Sequence, residues 1–170
     1  FQGNIVAGSI KIGDKVMCLP SKESAKIQEL YKLDQKVKQV NSGEAITLTL
    51  DKEIDISRGC VLTNDDNIHV TNNINVTMLW MDEEKLKTNH AYYFNIGTVS
   101  TLCYIRKVYY KINIDTDEKI VDFDEICKNE IINCDIEILE KTAISEFRYN
   151  KSLGSLILIN RLTNATSSCA

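Results

Sequence analysis

Ile132-Asn133-Cys134-Asp135-Ile136-Glu137-Ile138 alternates apolar and polar residues without a break. A period of two puts Ile132, Cys134, Ile136 and Ile138 on one face, so the stretch reads as a strand with one face in a core. Ala45-Ile46-Thr47-Leu48-Thr49-Leu50 repeats the pattern, with Ile46, Leu48 and Leu50 on the inner face. Ile74, Val76, Met78 and Trp80 oppose Asn75 and Thr77 in the same way. Isoleucine, valine and threonine together supply 44 of the 170 residues and alanine only seven. β-Branched side chains pack well on a pleated sheet, so composition and pattern agree on an all-β class.

Turn chemistry divides these strands. Gly13-Asp14 separates Ser9–Ile12 from Lys15–Leu19, and Asn41-Ser42-Gly43 precedes Ala45. Ala25–Leu33 is ambiguous. Ile27, Leu30 and Tyr31 share a helical face, whereas Ile27, Glu29, Tyr31 and Leu33 share a strand face. Its β surroundings select the strand. Ala91–Ile96 and a long segment from Val99 to Asp115 follow, the latter expected to bend or to contain two strands. Ser155–Ile159 is continuously apolar and predicts a strand buried on both faces or lying at a tight interface. Residues 63–72 are polar and form the best candidate boundary. About 12 to 14 short strands therefore fall into two groups, 1–70 and 73–170, spaced as in barrels or sandwiches.

Several function classes are excluded or disfavoured. No run of about 18 apolar residues exists, so no membrane-spanning helix is expected. The net charge of −4 and the absence of a basic block disfavour binding to nucleic acid. His69 and His90 lie in no metal-binding pattern, and neither G-x-S-x-G nor G-x-x-x-x-G-K-[ST] occurs. The acidic clusters Asp65-Asp66, Asp82-Glu83-Glu84 and Asp122–Glu125 read as solvated loop residues. The six cysteines contain no C-x-x-C pair and are expected to be reduced thiols, mostly small core side chains. Three N-x-S/T sequons, at Asn75, Asn150 and Asn164, keep a secreted, disulfide-stapled domain as an alternative. No catalytic, cofactor-binding or metal-binding residue is assigned.

A family pattern emerges from the turns and strands. Ile5-Val6-Ala7-Gly8-Ser9-Ile10-Lys11-Ile12-Gly13-Asp14-Lys15-Val16, followed by Leu19-Pro20-Ser21, resembles the second domain of translation-factor-type GTPases. Four later segments are more specific: Ala45–Leu50 with Glu53-Ile54-Asp55-Ile56-Ser57-Arg58-Gly59; Leu79-Trp80-Met81; Asn129-Glu130-Ile131; and Gly154–Ile159 with Arg161, Thr163, Asn164 and Thr166. In that order they resemble the large subunit of bacterial sulfate adenylyltransferase (ATP sulfurylase). Asn160 stands where that family usually has aspartate, and Cys60 where it often has aspartate. Ser167-Ser168-Cys169-Ala170 replaces a Gly-Ala-Gly-Met-like continuation.

The resemblance implies two consecutive small β-barrels like the second and third domains of elongation factor Tu-like GTPases. It implies a GTPase domain upstream that holds GTP and Mg2+, a cytoplasmic setting, and a role in sulfate assimilation and cysteine biosynthesis. Adenylyl transfer would belong to a separate small catalytic subunit, the expected partner beside the GTPase domain itself, with a fused adenylylsulfate kinase as a further possibility. The barrels, without activity of their own, would couple GTP hydrolysis to that nucleotidyltransferase. The alternative is the corresponding pair of barrels from an elongation factor that binds aminoacyl-tRNA.

Four residues are candidate interface or coupling positions: Arg58, Trp80, Arg161 and Asn164. Arg58 is read either as pairing with an acid across a boundary or as a surface arginine after a turn. Trp80 is read as an interface anchor or, from its alternation with Ile74, Val76 and Met78, as core. Arg161, Thr163 and Asn164 are expected to organise a loop at a barrel end.

Overall fold

A computed structural model describes residues 1–170. In its first part the strands are β1 (Gln2–Asn4), β2 (Ser9–Lys11), β3 (Lys15–Leu19), β4 (Glu23–Lys32), β5 (Gln35–Val37), β6 (Gln39–Asn41), β7 (Ala45–Leu50) and β8 (Val61–Thr63). β9 (His69–Trp80), β10 (Ala91–Ile96), β11 (Val99–Ile112), β12 (Lys119–Ile120) and β13 (Ile131–Ile144) follow. A single helical turn, α1 (Lys151–Gly154), leads into β14 (Leu156–Asn160) and β15 (Thr166–Cys169).

The later strands form a closed barrel. Their order is β10-β14-β15-β9-β13-β11, and β11 pairs back onto β10, while β12 hangs outside on β11. Closure removes both free edges. Inside lie Met78, Trp80, Phe94, Ile105, Ile132, Ile136, Ile138 and Leu158, each no more than 1% exposed. The earlier strands enclose a smaller core of Val16, Ile27, Leu30, Val40, Ile46 and Leu48. Here the hydrogen-bonded path β1-β7-β4-β3-β8 is not a ring. β2 and β6 form their own pair, and their Ile10 and Val40 complete the enclosure by packing. No strand pairing joins the two parts.

Several expectations are corrected. In Ala25–Leu33 the inner face changes partway, because a register shift between Ile27 and Glu29 inserts an extra residue. Ala25 and Ile27 are buried, then Leu30, whereas Leu33 is 88% exposed at a turn. By contrast, the expected bend in the segment beginning at Val99 is present: it is one strand, bent by two register shifts, after Ile105 and after Val108. Ser155–Ile159 is not buried on both faces. β14 alternates, with Leu156 and Leu158 inside and Ile157 38% exposed. The polar boundary segment is shorter than expected, since His69, Val70 and Thr71 already pair with Ile144, Ala143 and Thr142.

Candidate interface at the end of the second barrel

The four candidate residues separate into different environments. Trp80 is core and no surface anchor. It is 1% exposed, its ring meets that of Tyr92 edge-on at 5.8 Å, and its Nε1 donates to the Glu84 carbonyl at 2.9 Å. Arg161 and Asn164 share the turn that joins β14 to β15. Both are exposed, and Asn164 adopts φ +58°, a left-handed conformation that asparagine tolerates. The Arg161 guanidinium lies 5.9 Å from the centre of the Tyr93 ring and takes part in no ion pair. Such a cation over an aromatic face contributes on the order of 0.5–1 kcal/mol when exposed.

Arg58 stands apart. It is exposed and unpaired, in the turn between β7 and β8. Its neighbour Gly59 has φ +100°, and a β-carbon there would sit 3.4 Å from Cγ2 of Val99, at the start of β11. The Arg58 turn therefore touches the second barrel beside the β10–β11 hairpin. The Arg161 turn lies beyond Asn160, which pairs with Tyr92 at the other end of β10. Four strand residues separate these ends, about 13 Å at the usual rise.

The Arg161 turn is held from beneath by a buried polar node. Asp82 is 8% exposed, Asn160 5%, and Ser167 and Ser168 are fully buried. Ser167 Oγ donates to Asp82 Oδ2 at 2.7 Å, and Asn160 Nδ2 donates to the same oxygen at 3.3 Å. The Glu84 amide donates to Asp82 Oδ1 at 3.2 Å. On its other side, Asn160 Oδ1 accepts from the amides of Leu162 and Thr163 at 2.9 and 3.3 Å. Asn160 thus bridges the node to the turn, and Thr163 adds a bond from the Ala165 amide. The expectation that Arg161, Thr163 and Asn164 organise this loop is met in part: Thr163 and Asn164 shape it, Asn160 anchors it, and Arg161 is what it presents.

Asp82 corrects the reading of its acidic cluster as solvated. Burial works against its charge, but the donors from Ser167, the Glu84 amide, Asn160 and the Glu83 amide outweigh burial and hold the carboxyl below its ordinary value. A depressed folded-state value means that ionised Asp82 contributes stability in full above the unfolded carboxylate range, about pH 4. That contribution is lost as pH falls through the lower folded value.

The same geometry explains Asn160, since only an amide both accepts from the turn and donates to Asp82. Asn160→Asp is expected to set two carboxylates against one another and to lower stability by about 2 kcal/mol at neutral pH. The like-charged pair binds a proton with a raised pKa, so the loss should shrink as pH falls toward about 5. Urea midpoints at the two pH values test this, and a loss independent of pH would exclude charge repulsion as its cause.

Residues 73–169 match the model of the GTP-eEF1A C-terminal domain-like family. The chain belongs to that family. Sulfate adenylyltransferase subunit 1 of Shewanella woodyi is 34% identical over 98% of this family member, and that of Francisella tularensis is 33% identical over the same share. The chain spans about a third of the length of these relatives, 35% and 36%. Among solved structures, sup35 complexed with GDP superposes with a TM-score of 0.85 at 21% identity, over 99% of this chain and 42% of that one. The translation-factor-like two-barrel architecture and the similarity to sulfate adenylyltransferase subunit 1 therefore rest on independent comparisons. No helix is long and apolar enough to cross a membrane.

Proposed function

We propose that these barrels belong to the GTP-dependent regulatory subunit of a sulfate adenylyltransferase, where they couple GTP hydrolysis to adenylyl transfer on a partner catalytic subunit. Support comes first from the 34% identity to subunit 1 of that enzyme, which runs through both barrels. GTP and Mg2+ would be held by a GTPase domain outside these residues, which span only about a third of the length of the subunit 1 relatives. The catalytic subunit would bind sulfate and ATP and release adenylyl sulfate and pyrophosphate.

Coupling requires contacts that differ between nucleotide states, and a module that moves as a body rather than deforming. The closed barrel and its buried Asp82–Asn160–Ser167 node suit that task. They fix the exposed Arg161 turn so that a displacement of the barrel is delivered at that surface. Arg161, with a free guanidinium braced on Tyr93, is the residue we assign to partner contact. Arg58 is assigned to the region where the two barrels touch.

The test uses the full-length parent with its catalytic subunit. Sulfate-dependent adenylyl sulfate formation should rise with GTP and lose that rise when the barrels are deleted. GTP hydrolysis without any sulfate-dependent product would overturn the assignment. Salt-sensitive binding of aminoacyl-tRNA would then favour an elongation-factor role.

A further inference from the structure

Two of the six thiols meet at the turn that touches the second barrel. Cys18 on β3 pairs with Leu62 on β8, so Cys60 lies two residues along the same strand line and on the same face. Both side chains pack in one small cluster with Ala25, Ile54 and Ile56. Cys18 Sγ lies 3.5 Å from the Asp55 carbonyl, and Cys60 Sγ lies 3.7 Å from Ser57 Oγ, so both thiols engage the same turn. We propose that Cys18 and Cys60 are a redox dithiol that closes to an intramolecular disulfide when the protein meets a low-molecular-weight disulfide. The proposal is independent of the function assigned above.

Access sets the order of events. Cys60 is partly exposed, whereas Cys18 is fully buried. The Cys60 thiolate attacks oxidised glutathione, forming a mixed disulfide and expelling one glutathione thiolate. The Cys18 thiol then attacks the Cys60 sulfur, releases the second glutathione and gives up its proton. Two protein thiols are oxidised and one glutathione disulfide is reduced to two thiols. Burial raises the pKa of Cys18, with the adjacent Cys60 thiol adding to it, which leaves the first attack to Cys60; Cys18 reacts second because the mixed disulfide is held beside it.

Diagonal partners across antiparallel strands lie about 7–8 Å apart at Cα, slightly beyond the usual disulfide span. The required contraction falls on Cys60, which precedes Val61, the first paired residue of β8. Gly59 would move with it, and Gly59 abuts Val99 of the second barrel. Oxidation would thus act where the barrels touch. The other thiols lack this combination. Cys103 and Cys134 are fully buried with pKa values pushed up to about 12, and Cys127 is exposed but joins no second thiol.

The test treats the chain with oxidised glutathione at about pH 8, where thiol–disulfide exchange proceeds readily. The reaction is quenched in acid, and remaining thiols are counted by alkylation under denaturing conditions and intact mass. The expected result is loss of two of the six alkylatable thiols, a linked Cys18–Cys60 peptide on digestion, and full recovery with dithiothreitol. Cys60→Ser and Cys60→Asp should both abolish the linked peptide, and Cys127→Ser should leave it unchanged. Six thiols remaining, or a stable glutathione adduct without the internal link, would overturn the proposal.

Discussion

Trp80→Ala should destabilise the chain by about 4 kcal/mol, within the range for deleting a buried large aromatic side chain. The ring is 1% exposed and packs edge-on against Tyr92 within the larger core. Truncation would leave a cavity in a closed barrel, whose hydrogen-bonded wall has no free edge to collapse inward. It would also strip the Glu84 carbonyl of its indole donor. Trp80→Phe separates the two contributions, because it keeps most of the packing and removes only the donor. Its cost should be about 1–2 kcal/mol. Urea denaturation of both variants gives the comparison. A Trp80→Ala chain of unchanged stability that fails to bind a partner would restore the interface role the structure removes.

Gly154→Ala should cost about 3 kcal/mol, the upper end of overpacking penalties. A β-carbon at this position would stand 2.4 Å from both Cα and N of Phe147 and 2.9 Å from the Glu146 carbonyl carbon. These are backbone atoms, so no rotamer change relieves the contact. The segment has little room to shift. The Ser145 amide donates to the Leu153 carbonyl, and Asn150 caps α1 by accepting from the Leu153 amide at 3.1 Å. Strand β14 begins two residues later. Gly97→Ala is the control, since a β-carbon there meets only the Ser152 carbonyl, at 3.7 Å. Its φ of +54° adds a conformational cost of about 1 kcal/mol. Thermal midpoints should therefore fall much further for Gly154→Ala, and equal shifts would show that the Phe147 contact is not the cause.

Strand class was legible where one face is buried and the other wet. Ile132–Ile138 and Ala45–Leu50 alternate because each turns one face to a core, and each lies where its period places it. Ala25–Leu33 misled on its facing, because a single bulged residue reverses the inner face without altering composition. Ser155–Ile159 misled for another reason: Ile157, 38% exposed, and Ile159, opposite Tyr93, leave apolar side chains on the outer wall.

The site was less legible than the fold. Arg161 and Asn164 were visible through family resemblance, and they do share one turn. Asp82 was not, because an acid within Asp-Glu-Glu looks solvated until Asn160 and Ser167 arrive from 78 and 85 positions away. Its signal lay in the departures from the family pattern. Asn160 and Ser167 are the two changed side chains that both donate to Asp82. Local sequence cannot reveal such a long-range pairing, but two departures within one terminal segment could have directed the search.

Coupling through the Arg161 turn is tested most directly in a protein that carries the proposed GTPase domain, assayed with the proposed catalytic subunit. Arg161→Glu reverses the charge of an exposed side chain that makes no ion pair and gives up only its contact with Tyr93, so the unfolding free energy measured in urea should fall by no more than about 1 kcal/mol. Intrinsic GTP hydrolysis should be unchanged, while GTP stimulation of sulfate-dependent adenylyl sulfate formation should fall by about tenfold, the middle of the usual range for coupling between sites. Full GTP stimulation in Arg161→Glu, with stability equally intact, would contradict a coupling role for this surface.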